Sequence, residues 1–506
     1  MNGEPQPYPR RYWWLKRLSA ALVIALLAFA GLRWYWAHTI HQRLEAAVQA
    51  IRDRGEPIEA KDLIRPPVAD QDNAAWYYQQ ALAAWPLVDG KLITESDWYS
   101  EPDRHPDPIT DNAAYLVQCR PALELLLQGS QKAVCDWRLS VQSPLVGGWR
   151  VPDCPNLLCY LLADAAYRAD RIGQDRVALD LIGYILSLGE SDDIEAQGCN
   201  GALNAFFIRV VGTDAMERML IEPAVDLEGR GEALRQHAPR LIGEFLDLEA
   251  PRRVWSRGWI GERVVGYDAL GALFNKRLQL SDFSLVETDV PDCLLLTVGR
   301  PVLEYDAAML LRWYGTVIVA TRKSATATDF SAYTSSVDME SRRALKLRSM
   351  HPLSLSLMPN YGVEVWPWCS PVAHSHMAAT ALAIKLYELE HGRRPATLAD
   401  LVPAYLPAVP QDPFAPQPAP IQYLPNGAPT DAGTVGPAIL YSVGRDGVDQ
   451  GGVVPLKADG TIFGVKRYHS GHDQFFLLDK PALAATPPAP SERPEDEPRV
   501  QDEEGD

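Results

Sequence analysis

The chain has 506 residues and a net charge of −17, with 47% hydrophobic and 22% charged residues. That length exceeds what one hydrophobic core usually serves, and the hydrophobic fraction excludes a mainly disordered chain. The negative balance excludes a nucleic-acid binder, which needs clustered Lys and Arg. Part of the charge is local: residues 491–506 hold eight acids against Arg493 and Arg499.

Residues 1–17 form a basic N-terminus with Arg10, Arg11, Lys16 and Arg17. Leu18 to Leu32 follows as fifteen residues without a charge. Trp34, Tyr35 and Trp36 extend it to the roughly 20 residues a bilayer requires, and Tyr12, Trp13 and Trp14 place aromatic rings at the other interface. The expectation is a single-pass anchor over residues 18–37. The basic flank keeps the N-terminus in the cytoplasm and puts the body in the periplasm, beyond the inner membrane. The rival is a signal peptide cleaved after Ala30, since Ala28-Phe29-Ala30 fits the small-x-small pattern. The aromatic belt just past that point, and a helical pattern continuing through residues 38–54, favour a retained anchor. The apolar stretch at 307–320 is too short to span and contains Arg312, so it reads as a buried helix.

Residues 38–365 read as an α-helical exported domain. The polar helix from the membrane stops near Gly55. Asp72 or Asn73 caps a helix in AAWYYQQALAAW, and the same letters return at Asp111-Asn112-Ala113-Ala114, either as a repeated helical unit or as two similar N-caps. Two amphipathic stretches within 156–190 join across Gly173 as a helical hairpin. Further helices are expected at 200–221, 228–248, 263–279, 300–320 and 328–348. The tryptophans, Trp255 and Trp259 among them, read as core.

Residues 370–480 change character. A helix over 370–392 carries Ala378, Leu382, Leu386 and Leu389 on one face and ends at Gly392. A proline-rich segment follows, then strands at 421–425, 438–443, 461–465 and 474–478. This is a small α+β domain after a mainly α body. From 481 to 506 the composition predicts a disordered acidic, Pro-rich tail.

Three stretches of that region resemble the globular part of the major pseudopilin of type II secretion systems. They also look like pseudopilin-type domains carried by other membrane-anchored bacterial proteins. The stretches are Leu386 to Pro395 with TLADLVPAYLP, Val409 to Phe414 with its Asp412-Pro413, and Leu440 to Gly447 running on to Asp449, Gly451 and Gly452. About a hundred residues are covered, in matching order. The resemblance implies a calcium site after the second of these strands. By position its ligands are the Val443 carbonyl, Asp446 and Asp473, with Asp449 contributing by proximity. The interval from Asp446 to Asp473 is longer than in the family, and one acid of the final pair is His472. The alternative is that Asp446-Gly447 and Asp449 are ordinary turn residues. The leader and processing site of a pseudopilin are missing, so the chain is not expected to assemble as a pilus subunit.

Other chemistry is sparse. Seven cysteines, at 119, 135, 154, 159, 199, 293 and 369, are an odd number, so at least one is unpaired within the chain. Cys154 and Cys159 lack a matching second pair, which argues against zinc. Export would permit disulfides. His374, His376, His469 and His472 read as surface or core histidines. Walker, Gly-x-Ser-x-Gly and His-Glu-x-x-His motifs do not occur. No catalytic residue or organic cofactor is assigned. The expected function is a non-enzymatic envelope protein that binds or scaffolds a protein partner, calcium being its one expected cofactor. The alternative is an exported hydrolase with its site in the helical domain, for which Asp192-Asp193 is too common a pair to serve as evidence.

Overall fold

A computed structural model describes residues 13–93, 107–139, 153–188, 194–275, 299–324, 329, 366–456 and 473–480. Beyond Asp329, the helix expected at 328–348 lies outside them, as do the strand at 461–465, His469, His472, Cys293, Asp192-Asp193 and the tail from 481. The described residues form a mainly helical body with one small antiparallel sheet.

Helix α1 spans Trp13–Asp53 without a break, joining the expected anchor and the polar helix after it. Among the described residues it is the one helix long and apolar enough to cross a membrane, and its apolar window is bare of protein contact. Beyond that window the helix enters the body. Ile40, Leu44, Val48 and Ile51 recur at helical spacing and are buried, against Leu270, Leu273, Leu303 and Leu311. Each such side chain contributes roughly 1.5–3 kcal/mol on burial. Gly55, at φ 70°, ends the helix, and the Gly55 and Glu56 amides donate back to Arg52 and Ile51 carbonyls. Only glycine takes that conformation without strain. Just past the end, Glu56 receives the guanidinium of fully buried Arg263 at 2.7 Å and that of Arg322 at 3.0 Å. Burial alone would raise the Glu56 carboxyl; the arginines overcome this and hold it below its usual range.

Helices α2 (Ala74–Ala83) and α3 (Asn112–Ser130) pack together, each with its expected cap. The Asn73 side chain accepts from the Ala75 amide and the Asp111 side chain from the Ala114 amide. The hairpin of α4 (Cys154–Arg171) and α5 (Asp175–Leu188) turns at Gly173, whose φ is 74°. Arg230, on α7 (Leu227–Leu246), clamps that turn by donating to Asp170 at 2.5 Å and Asp175 at 2.6 Å.

Helix α6 covers Ile194–Ile221 but is broken at Gly198, where φ is 62° and ψ −154°. It crosses α8 (Glu249–Phe274) so closely that a Cβ on Gly258 would lie 3.0 Å from the Gly198 carbonyl. Helix α8 starts fourteen residues before the expected 263. Its first turns mix Arg, Trp and Gly, which hides the helical period, while Asp247 accepts the Glu249 amide at the true start. Helix α9 (Arg300–Lys323) buries Trp313, Tyr314, Val317 and Ile318, as expected for a non-spanning helix. With Phe206, Trp255 and Trp259 these side chains form an aromatic cluster.

Helix α10 (Trp366–His391) lies at the centre. Every residue from Cys369 to Ile384 is buried, so the single apolar face read from the sequence understates it. Ala378, Ala379, Ala381 and Ala383 are small enough to admit neighbours on all sides. Helices α6 and α7 pack on it, as do strands β2 and β3. The sheet has the order β1 (Gln422–Leu424), β2 (Ile439–Ser442), β3 (Gln474–Leu477), both pairs antiparallel, with Tyr423 opposite Leu440 and Leu440 opposite Phe476. One buried cluster runs from Ala74 through Leu158, Leu241 and Leu382 to Leu440 and Phe476. The hydrophobic core therefore continues across residues 366–370, where the composition changes.

Candidate functional site

The residues singled out from the sequence meet at the end of strand β2. Val443 is buried, and the chain then turns through Gly444, Gly447, Gly451 and Gly452, all at positive φ. This path folds Asp446 and Asp449 back onto their own loop, and Asp473 reaches the loop from the sheet. Asp446 accepts from the Val448 amide at 2.9 Å and from the Gln450 side chain at 2.8 Å. Asp449 accepts from the Gly451 amide at 2.8 Å and the Tyr441 hydroxyl at 3.2 Å. Asp473, at the entry to β3, accepts from the Gly452 amide at 2.8 Å and the Gln450 amide at 3.3 Å. The loop and the sheet are thus joined through Asp473.

The acid at the base of this site is Asp412, which sequence reasoning quoted only as part of the Asp-Pro-Phe stretch. It is buried, accepts from Ser442 Oγ at 2.7 Å and from the Phe414 and Val443 amides at 2.9 Å, and so pins the end of β2. An acid before Pro, followed by an aromatic, was the available signal; its burial was not. Burial raises the Asp412 carboxyl, and Asp449 adds to the rise. Asp473 is raised first by burial and further by Asp449 and Asp446. In charge the residues suit a divalent cation, because the carboxylates repel one another. In arrangement they are occupied: each already accepts from at least two protein donors. Among the described residues no group of three or more His, Cys, Asp or Glu converges as metal ligands.

Two other acids are perturbed. Burial pushes Asp170 up to about 7 against the pull of Arg230, and Asp175 adds to the rise. Burial pushes Glu262 up to about 7, opposed by its bond from the Cys199 amide at 3.0 Å. That bond caps the helix segment restarting after Gly198 from a neighbouring helix, a relationship no local pattern encodes. His374 and His376 are core residues. His376 Nδ1 meets the Gln411 carbonyl at 2.7 Å, and burial pushes the ring down to about 4, so it is neutral at pH 7.

Cys119, Cys154, Cys159, Cys199 and Cys369 are free thiols. Burial pushes Cys119, Cys154 and Cys159 up to about 12 and Cys199 and Cys369 well above their usual range, which makes them poor nucleophiles. Cys119, Cys159, Cys199 and Cys369 are buried, which shields them from oxidants.

Comparison with protein-family models, with curated proteins and with solved structures finds no match for this chain.

Proposed function

We propose that this chain is a single-pass envelope protein of the inner membrane, with its body held in the periplasm to bind or scaffold another protein. The observation that carries this reading is the continuity of α1. One unbroken helix is bare over its apolar half and packs one face, Ile40, Leu44, Val48 and Ile51, against the body over its polar half. A body fixed that way stands at a set height above the bilayer and cannot swing as it would on a flexible linker. That geometry suits a protein that presents a surface to a partner. Arg10, Arg11, Lys16 and Arg17 supply the orientation. The likeness of the C-terminal region to pseudopilin domains supplies the kind of surface, one used in protein–protein contact, and a calcium ion at the Asp446 loop belongs to the same likeness. Retention of the full chain in membranes after carbonate washing, together with activity of a phosphatase reporter fused after Asp506, is the expected result. A soluble chain or a cytoplasmic reporter overturns it.

The hydrolase alternative draws on Asp170 and Asp175, because a buried acid pair with a raised carboxyl is a recurrent catalytic device. Both are only 2% exposed and are spanned by Arg230. In this arrangement the pair locks the turn between α4 and α5, and the cavity beside Asp170, about 10 Å³, is too small for a substrate.

A further inference from the structure

Past the apolar half of α1, a trough of about 690 Å³ runs between it and α9. Two contacts fix the relative direction of these helices. His41 meets Glu304 at 3.4 Å near one end, and Arg322 meets Glu56 at 3.0 Å near the other, so α9 runs the same way as α1. The trough follows α1 from Ile40 to Arg54 and α9 from Tyr305 to Val319. At 1.5 Å per residue each wall is about 21 Å long, or about four helical turns, and the section averages about 33 Å². That is narrower than the 10–12 Å diameter of a whole helix and wide enough for the side chains of one face.

The spacing of the walls sets the shape of what fits. On α1 they are built by Ile40, Arg43, Ala47, Ala50 and Arg54. On α9 they are built by Tyr305, Ala308, Arg312, Gly315 and Val319. Both series step by three, four, three and four residues. Two helices that run the same way thus present matched stripes of 3.5-residue period, the repeat by which helices seat their side chains against one another in a coiled coil. Alanine and glycine on both stripes let a third backbone come close. Tyr305 and Val319 stay 37% and 40% exposed, so the apolar part of the trough is left open.

The charge sets the chemistry of the partner. None of the residues lining the trough is acidic, in a chain of net charge −17. Arg43 pairs with no acid among the described residues. Arg54 shares Glu56 with Arg263 and Arg322, so three guanidinium groups meet one carboxylate and that cluster keeps a positive excess. Measured from the Ile40 end, Arg43, Arg312 and Arg54 stand about 4.5, 10.5 and 21 Å along the trough, which is the rise of four and then seven residues. Acids at i, i+4 and i+11 of a helix share one face and match these steps.

We infer that the trough is the docking site for an acidic amphipathic helix of another protein, its apolar residues between α1 and α9 and its carboxylates on Arg43, Arg312 and Arg54. This rests on the partner-binding reading above and gives that partner a surface and a chemistry. A second copy of the chain docked through the same stripes fits less well, since it would bring arginine against arginine.

The test uses the full chain in nanodiscs of phosphatidylcholine, a lipid without net charge. The probe is a displayed library of alanine-based helices of about four turns, the length of the trough. Leucine fills one heptad stripe, and Glu, Lys or Gln varies at the positions beside it. Selection should enrich glutamate at i, i+4 and i+11, and salt should release the selected helix. Gly315→Phe should abolish its binding. A Cβ at Gly315 meets nothing within 4 Å, so the ring enters the trough without straining α9. Arg43→Glu should weaken binding about tenfold through one like-charge contact, and lysine at the facing position of the helix should restore it. A merely structural role for Arg43 gives no such rescue, and the swap reads the site even if the Phe variant folds poorly. Enrichment of basic or uncharged helices, no enrichment, or binding that survives both substitutions overturns the site. A wild-type dimer that Gly315→Phe breaks, with no helix selected, gives the trough to a second copy instead. The carbonate wash reports on the anchor alone. A chain that stays in membranes and selects no acidic helix loses the trough and keeps the anchor; one that washes off yet selects it keeps the trough.

Discussion

Glu217 on α6 accepts the backbone N–H of Leu477 on β3 at 2.6 Å, across 260 residues of chain. Strand β3 is an edge of the sheet, and its outward amide would otherwise be buried without a partner. Glu217→Ala should therefore destabilise the chain by about 1–3 kcal/mol, the cost of leaving a buried donor unpaired. Glu217→Gln keeps an acceptor in place and should recover most of that loss. Chemical denaturation of the three proteins gives the comparison, and an alanine variant as stable as wild type refutes the role.

Arg209 makes the second long-range tie. Its Nε donates to Ser375 Oγ on α10 at 2.8 Å, and its Nη2 donates to the Glu244 and Phe245 carbonyls at 2.7 and 3.0 Å. One guanidinium thus caps the C-terminus of α7 and fastens it to the central helix. Removing it strands two carbonyls and a hydroxyl, so Arg209→Ala should cost roughly 3 kcal/mol or more, while Ser375→Ala should cost about 1 kcal/mol. Arg209→Lys keeps the charge without the fork and should recover less than half. Thermal melts that rank the three variants otherwise contradict this assignment.

These two ties show where sequence reading stops. Asn73 and Asp111 announce helix starts because a cap is a contact between residues two or three apart. The strands at 422–424, 439–442 and 474–477 fall within a residue or two of expectation because alternation and turn residues are local as well. The loop of Asp446 and Asp449 was also legible as a turn, since its glycines demand positive φ. The place of α10 was not. Ser370, Ser375 and Thr380 look like solvent-facing residues by chemistry, and only packing shows them buried. Asp412 and Glu262 gain their meaning from partners 30 and 63 residues away, Ser442 and Cys199.

Glu262 and His376 give opposite pH dependences. Burial pushes the Glu262 carboxyl up to about 7 from 4.5, so between those values the folded state holds a proton that the unfolded state has released. Stability contributed by this group falls as pH rises through that window and stays lower above it. His376 is pushed down to about 4 from 6.5, so its share of stability falls as pH drops through that range. The two oppose each other near pH 5–6, and wild type alone reveals neither. Glu262→Gln, which keeps an oxygen for the Cys199 amide, should gain on wild type from pH 5 to about 7 and hold that gain above it. His376→Gln should gain as pH falls from 7 to 4. Melting midpoints across that range, read as differences from wild type, decide both; a flat difference removes the titration.

Calcium tests the loop of Asp446, Asp449 and Asp473. Because one core joins α10 and the sheet to α6 and α7, the measurement belongs on the full chain. A site with the affinity of extracellular calcium modules, about 10⁻⁴–10⁻³ M, gives about 1–2 kcal/mol of stabilisation at roughly 5 mM calcium. The expected outcome is a rise in melting midpoint over chelator that magnesium does not reproduce. Asp449→Asn is the informative variant. Its remaining carbonyl oxygen still accepts from the Gly451 amide and the Tyr441 hydroxyl, so the turn survives while one negative charge goes. In calcium that variant should lose the gain. In chelator it should match or exceed wild type, because Asp449 adds to the rise in Asp473 and Asp412. Identical melts with calcium and with chelator leave the three aspartates as turn residues, their charges balanced by the amides they already hold.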